Sequence, residues 1–282
     1  MRIRRHLLRI AAVCAGFALA LIAVPAALAS PLVVIDPGHG GPWSNANSNG
    51  LKEKNVNLAI SLALRDELTA RGYRVVLTRE TDTAVASGDI STWNWNSASG
   101  LWSFRRDGRV GLDGGIPQDD LQARADVANR LGADLFVCVH ANGSVRRTVR
   151  GFETYSSARD AQGGVLGDLV QRAVVRRTRI VDRGAHRNDY YVLRWTNMPA
   201  ILVECGYISS PSDAALLKRS DFRSRVATGI AEGVDAWFAS GAPSRTTLRR
   251  VTASGPTAFS AAVSAASFPT GAPVAIVARS DR

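Results

Sequence analysis

The chain has 282 residues, 46% apolar and 21% charged, which excludes a disordered or collagen-like polymer and leaves room for one large domain, or a medium one with an appendage. Its 35 Lys and Arg outnumber 24 Asp and Glu for a formal charge of +11, a balance that favours an anionic partner.

The chain opens on MRIRRHLLRI, continues through an apolar run from Ile10 to Val24, and reaches small residues at Ala27 and Ala29. A basic start, a short apolar stretch and an A-x-A site predict a secretory signal over 1–29, cleaved after Ala29. The run is shorter than the ~20 residues that a spanning helix requires, so no stable membrane span is expected after cleavage. Val13 precedes Cys14 where a lipid-attachment signal needs a small residue, which argues against lipidation. The signal holds four arginines and no acidic residue, so its removal takes the charge from +11 to +7. Outside the cytoplasm nucleic acid is scarce, which points the remaining charge to an anionic wall polymer or membrane surface, or to solubility alone. Of the three cysteines, Cys14 leaves with the signal. Cys138 shares a strand face with His140 and Cys205, beside Glu204, takes the opposite one. Two buried free thiols are expected, although an exported setting permits a disulfide.

From Pro31 to Ser240 strands and helices alternate. Val33 to Ile35 read as a first strand. Glu53 to Ala70 read as an amphipathic helix with Val56, Ile60, Ala63, Leu64 and Leu68 on one stripe, followed by a strand in YRVVLTR. Leu121 to Leu131 form a helix with Leu121, Ala125, Ala128 and Leu131 inward, and DLFVCVH a buried strand. GFETYS predicts a strand, Val165 to Arg177 a helix, YYVLR and AILVECGY two more strands, and Ser212 to Phe238 one or two closing helices. This order predicts an α/β fold, a mostly parallel twisted sheet with helices on both faces and a site at the carboxyl ends of the strands. One catalytic domain is expected over 30–240, as a monomer.

Two segments break the pattern. Residues 87–120 are rich in Gly, Ser and Asn yet hold Trp93, Trp95 and Trp102, half of the six tryptophans. Disordered segments rarely concentrate aromatics, so an ordered flap near the groove is expected. Residues 241–282 turn linker-like and then offer one Ala-rich helical stretch and one strand-like run, too few elements to bury a core.

The chemistry concentrates where apolar runs end. His39 follows the first strand, Glu53 opens the helix after it, His140 closes LFVCV, and Glu204 follows AILV. A histidine at a strand end is usually a packing residue, but two of them with two glutamates at one sheet edge are not. Two His and one Glu can hold a catalytic zinc with water in the fourth position, the other Glu acting as general base. That favours a hydrolase. Glu53 also suits a helix N-terminus as a carboxylate. Asp36 is expected to fix the turn or orient His39 rather than bind metal, and His186 to be a groove or surface residue. No G-x-S-x-G occurs for serine catalysis, and a Cys nucleophile would need a histidine that the metal uses better.

VVIDPGHGG, the Glu of LKEKNVNLAISLAL, TRETDT, LQARADVANRLGADLFVCVHANGS, GFETYS and ILVECGYISSPSDAALL stand in the order seen in zinc-dependent N-acetylmuramoyl-L-alanine amidases of the amidase_3 type, which Pro31 to Ser240 therefore resembles, apart from the tryptophan-rich segment, which is longer than expected there. The resemblance implies that His39, Glu53 and His140 hold Zn2+ and that Glu204 is the catalytic glutamate. The implied substrate is peptidoglycan, cut between N-acetylmuramic acid and L-alanine, in a protein secreted to the cell wall or envelope. Cys138 departs from a frequent Ser, and Cys205 and Tyr207 are further departures. RRVTASGPTAFSAAVSAASFPTGAPVAIVARSDR resembles part of a type 2 cell-wall-binding repeat, which implies anionic wall polymers as partners. A zinc peptidase cutting within the stem peptide, and a non-catalytic wall-binding protein, are the competing readings.

Overall fold

The computed structural model describes residues 30–85 and 116–241, with the short strand pieces 94–96, 101–103 and 112–113 between them. The expected signal over 1–29, most of the tryptophan-rich segment, and the tail from 242 onward lie outside the described residues.

The main strands are β1 (Leu32–Pro37), β2 (Arg74–Leu77), β3 (Leu135–Asn142), β4 (Phe152–Ser156), β5 (Asp182–Arg187) and β6 (Ala200–Tyr207). They form one sheet in the order β5-β4-β6-β3-β1-β2. β2, β1, β3 and β6 run parallel, while β4 runs antiparallel to β6 and carries β5 parallel to itself. All six residues of β1 and all eight of β6 are buried, as expected for strands covered on both faces.

Alternation along these strands sorts the core into two layers. Val33, Ile35, Val137, Val139, Val203 and Cys205 face one side, against Ile60 and Leu64 of α1 (Glu53–Ala70), Val170 of α3 (Ala161–Thr178) and Ile230 of α6 (Ser220–Ala239). Val34, Phe136, Cys138 and Leu202 face the other, against Val127 and Ala128 of α2 (Gln118–Leu131) and Val192 of α4 (Tyr191–Trp195). Helices thus cover both faces. Cys138 and Cys205 are buried free thiols on opposite faces, because residues of opposite parity project to opposite sides.

The closing region divides into α5 (Pro211–Lys218) and α6. Two expectations need correction, and one strand was not expected. YYVLR is not a strand, since Tyr191–Trp195 form one helical turn that buries Val192 and Leu193; a short apolar run does not separate the two states by periodicity. The strand lies just before it, in DRGAHR. β5 is an edge strand with five of its six residues exposed, so it lacks the apolar signal that marks buried strands. Leu131, expected inward, is 36% exposed at the end of α2.

The described residues at the two ends of the tryptophan-rich segment meet. The Val85 backbone N–H donates to Asp120 Oδ1 at 2.6 Å, and Asp120 already belongs to α2. Asn94–Asn96 pairs antiparallel with Leu101–Ser103. The relation of the tryptophan side chains to the rest of the fold lies outside the described residues.

Candidate metal and catalytic site

β1, β3 and β6 are adjacent and parallel, so their carboxyl ends share one edge, where such sheets bind ligands. The Pro37–Gly41 turn carries the chain off β1. Here His39 has φ 59°, and Gly40 and Gly41 follow at 139° and 57°. Glycine is required at 40, since a side chain there would meet the Thr83 carbonyl at 2.2 Å. The left-handed turn swings the His39 ring back over the end of the sheet. A second connection brings in α1, whose first residue, Glu53, donates its backbone N–H to the Ala46 carbonyl at 3.0 Å.

These loops bring His39, Glu53 and His140 together, with one ligand atom of each within 4.8 Å of the others. One oxygen of Glu53 stands between the imidazoles, with Oε1 3.1 Å from His39 Nε2 and 2.9 Å from His140 Nδ1. The other oxygen accepts from Asn45 Nδ2 at 2.8 Å. The two rings meet edge to face, centroids 4.8 Å apart. Burial alone would raise the Glu53 carboxyl, but the hydrogen bond with His140 and the close approach and charge of both imidazoles overcome it and hold the group well below the usual carboxylate range. Burial lowers the His39 pKa, outweighing the attraction of Glu53, and so favours the neutral ring that a metal requires.

The donor set fits a divalent cation on one further observation. His39 Nδ1 and Nε2 are buried without a hydrogen-bond partner, Nε2 lying near Glu53 but out of line. Buried polar atoms seldom remain unpaired, and one buried and one partly buried imidazole around a carboxylate are a ready set of lone pairs. Among the described residues this is the one cluster of three or more His, Cys, Asp or Glu that could hold a metal.

Glu204 stands across from His140 on the neighbouring strand. Its Oε2 is buried and unpartnered. Burial, with the charges of Glu53 and Glu153 added, pushes its carboxyl well above the ordinary value. Immediately after it the β6–β3 register shifts before Tyr207, with Gly206 at φ 128°. Such a bulge re-aims side chains and is common beside functional sites. Both glutamates and both histidines line a cleft of about 670 Å³, with Asn45, Asn142, Ser144 and Tyr190 on its walls.

Asp36 does not touch the His39 ring. Its carboxylate accepts from Thr78 Oγ1 at 2.5 Å, Arg124 Nη1 at 2.8 Å and Cys138 Sγ at 3.1 Å. Arg124 in turn donates to the His39 carbonyl at 2.8 Å, so Asp36 acts on the turn through the arginine. His186 is exposed on β5, 3.6 Å from Glu153 and apart from the cluster. Sequence reasoning missed Glu153. It pairs across β4–β6 with Glu204 and accepts from Tyr207 OH at 2.5 Å, Asn142 Nδ2 at 3.0 Å and Arg183 Nε at 3.2 Å. Its signal was a charged residue at an inward position of a short strand.

Comparison with known proteins agrees with this architecture. The N-acetylmuramoyl-L-alanine amidase family model matches residues 33–236. A germination-specific N-acetylmuramoyl-L-alanine amidase of Bacillus subtilis (strain 168) is 27% identical over 212 residues, 75% of this chain and 81% of that protein. The endolysin of Bacillus phage SPP1 is 36% identical over 214 residues, 73% of this chain and 65% of its own. The crystal structure of an N-acetylmuramoyl-L-alanine amidase from Clostridium difficile 630 superposes with a TM-score of 0.61 at 29% identity, covering 75% of this chain and 98% of that one.

Proposed function

The chain belongs to the N-acetylmuramoyl-L-alanine amidase family, and from that premise we propose that it cleaves the amide between N-acetylmuramic acid and the L-alanine of the stem peptide, with zinc held by His39, Glu53 and His140 and protons moved by Glu204. The observation that carries this reading is the meeting of three ligand atoms within 4.8 Å beside a buried, unpartnered carboxyl on the adjacent strand. Zinc in such a site supplies Lewis acidity to the amide carbonyl and lowers the pKa of water towards neutrality.

The protein's own residues supply the rest. Glu53, buried and ionised, offsets cationic charge in the cleft. Asn45 and Asn57 keep its carboxylate oriented, with Asn57 Nδ2 3.4 Å from Oε1. Glu204 takes a proton from the attacking water and returns it to the leaving amine, as base and then as acid. A carboxyl with raised proton affinity suits both halves of that cycle, since it holds the proton it has taken until the amine departs. Asn142, fixed by Glu153 at 3.0 Å, lies on the cleft wall in reach of substrate polar groups.

Under the same reading the protein works outside the membrane at the cell wall. Residues 1–29 direct export, 30–240 are the catalytic domain and 241–282 form a linker and partial wall-binding repeat, with the mature charge favouring anionic wall polymers. No helix among the described residues is long and apolar enough to cross a membrane. Metal quantification on the purified protein, combined with digestion of sacculi, tests the proposal. Bound zinc and newly exposed L-alanine amino termini are expected. Release of fragments cut within the stem peptide, or no cleavage by zinc-loaded protein, would overturn it.

A further inference from the structure

Three consecutive carbonyls in the turn after β1 accept hydrogen bonds from two buried arginines. Arg79, just beyond β2, donates from Nε to the Pro37 carbonyl at 2.9 Å and from Nη2 to the Gly38 carbonyl at 3.0 Å. The same Nη2 donates to the Lys54 carbonyl at 2.9 Å, in the first turn of α1. Arg124, on α2, reaches the turn from the other side. Its Nη1 donates to the Pro37 carbonyl at 2.9 Å and its Nη2 to the His39 carbonyl at 2.8 Å, while Asp36 and Asp120 hold the guanidinium at 2.8 Å each.

The placement of Arg79 is unusual for a charged group. It is fully buried, and among the described residues it has no carboxylate within ion-pair distance. Arg124 lies close, and burial with that neighbour pulls the Arg79 pKa down to about 10. Burying a cation without a direct counter-charge is costly, so its return must come from what the carbonyls gain. Those carbonyls flank two of the three ligands: Gly38 adjoins His39, and Lys54 adjoins Glu53. One guanidinium nitrogen therefore ties the turn that carries the first ligand to the helix start that carries the second. The turn needs such a tie, since His39 holds a left-handed backbone conformation at φ 59° that side chains other than glycine disfavour.

We propose that Arg79, backed by Arg124, is a positioning residue for the metal, fixing the separation of the His39 and Glu53 ligands before the ion binds. This rests on the reading that those residues hold zinc. Lysine keeps the charge but not the planar fork, and one ammonium cannot serve the Pro37, Gly38 and Lys54 carbonyls in the same geometry.

The test is a zinc titration, by chelator competition, of the wild-type protein, Arg79→Lys and Val234→Ala, together with the zinc-induced rise in Tm. Val234 is buried in α6 among the core residues and takes no part in the hydrogen bonds to the turn, and serves as a destabilised control. Loss of an outer partner of a metal ligand weakens binding about 10–100-fold, so Arg79→Lys should fold, bind zinc that much more weakly, and show a smaller zinc-induced rise in Tm. Val234→Ala should lose Tm without zinc yet keep the wild-type zinc affinity. Arg79→Lys with wild-type affinity would overturn the assignment. Should Arg79→Lys not fold, Arg124→Lys takes its place with the same expectation, and failure of both to fold also overturns it, the arginines then serving the fold and not the site. A wild-type protein that binds no zinc overturns the metal reading and the clamp together, whereas normal wild-type binding with an unaffected, folded variant overturns the clamp alone.

Discussion

Gly38 decides whether His140 can sit beside Glu53. A methyl group at position 38 would stand 2.2 Å from His140 Nε2, 2.4 Å from Cε1 and 2.6 Å from Cδ2. Non-bonded heavy atoms rest at about 3.5 Å or more, so Gly38→Ala requires a retreat of about 1 Å. The backbone is no obstacle, because Gly38 is not among the residues with positive φ. The turn cannot easily give way either: the Gly38 N–H donates to the Val139 carbonyl at 2.9 Å, and Arg79 and Asn57 hold the Gly38 carbonyl at 3.0 and 3.1 Å. The ring must move, and its 2.9 Å contact to Glu53 Oε1 is lost. Overpacking of this kind costs about 1–3 kcal/mol, so the protein should still fold. A displacement of about 1 Å at the reacting centre costs on the order of 100-fold in rate. Thermal melts, zinc titration and amide cleavage on purified sacculi should therefore show a folded protein with weakened zinc binding and about 100-fold less activity. Wild-type zinc affinity and turnover in Gly38→Ala would refute the placement of His140 and the ligand geometry built on it.

Glu204→Gln should keep its zinc while turnover falls about 10²–10⁴-fold, the range for loss of a general acid–base group; loss of zinc along with activity would make Glu204 a ligand instead. His39→Ala and His140→Ala should each lose zinc and activity together, and full zinc occupancy in both would remove them from the ligand set. Asp36→Asn breaks a fully buried ion pair with Arg124 and should cost about 3–5 kcal/mol at neutral pH. Burial pushes the Asp36 carboxyl up, but Arg124, Thr78 and Cys138 outweigh it and hold the group below its ordinary value. The stabilisation is thus complete above about pH 4 and is lost as pH falls through the depressed value. Melts of wild type and Asp36→Asn should converge in acid, and a gap unchanged from neutral pH to strong acid would sink this account.

The fold was readable where strands are buried on both faces. Leu135 to Val139 and Ala200 to Val203 are apolar runs too short for helices and flanked by turns, and they became β3 and β6 in the centre of the sheet. The α1 stripe was readable for the same reason: Val56, Ile60, Leu64 and Leu68 recur every four residues, and all are buried. Readability failed at the sheet edge. β5 buries none of its residues fully, since pairing with β4 on one side supplies backbone hydrogen bonds without demanding apolar side chains. YYVLR misled because its aromatic and branched residues favour strands, whereas Val192 and Leu193 pack into the core as part of a helical turn.

The candidate site divides along similar lines. His39, Glu53, His140 and Glu204 each stand next to a buried strand or helix start, so local pattern carried them to one sheet edge. The residues that hold them carry no such mark. Arg79 and Arg124 were visible only as letters within longer motifs, because the carbonyls they serve lie 41 and 85 residues away in the chain. Glu153 meets Tyr207 from 54 residues away, and only the register of β4 against β6 brings it behind Glu204. Carbonyl acceptors are present at every residue and leave no trace in composition, so a side chain that serves backbone cannot be told from a solvated one until the chain is folded. The candidate ligands and the candidate base could therefore be read from short segments, whereas the groups that set their geometry depend on contacts between segments far apart.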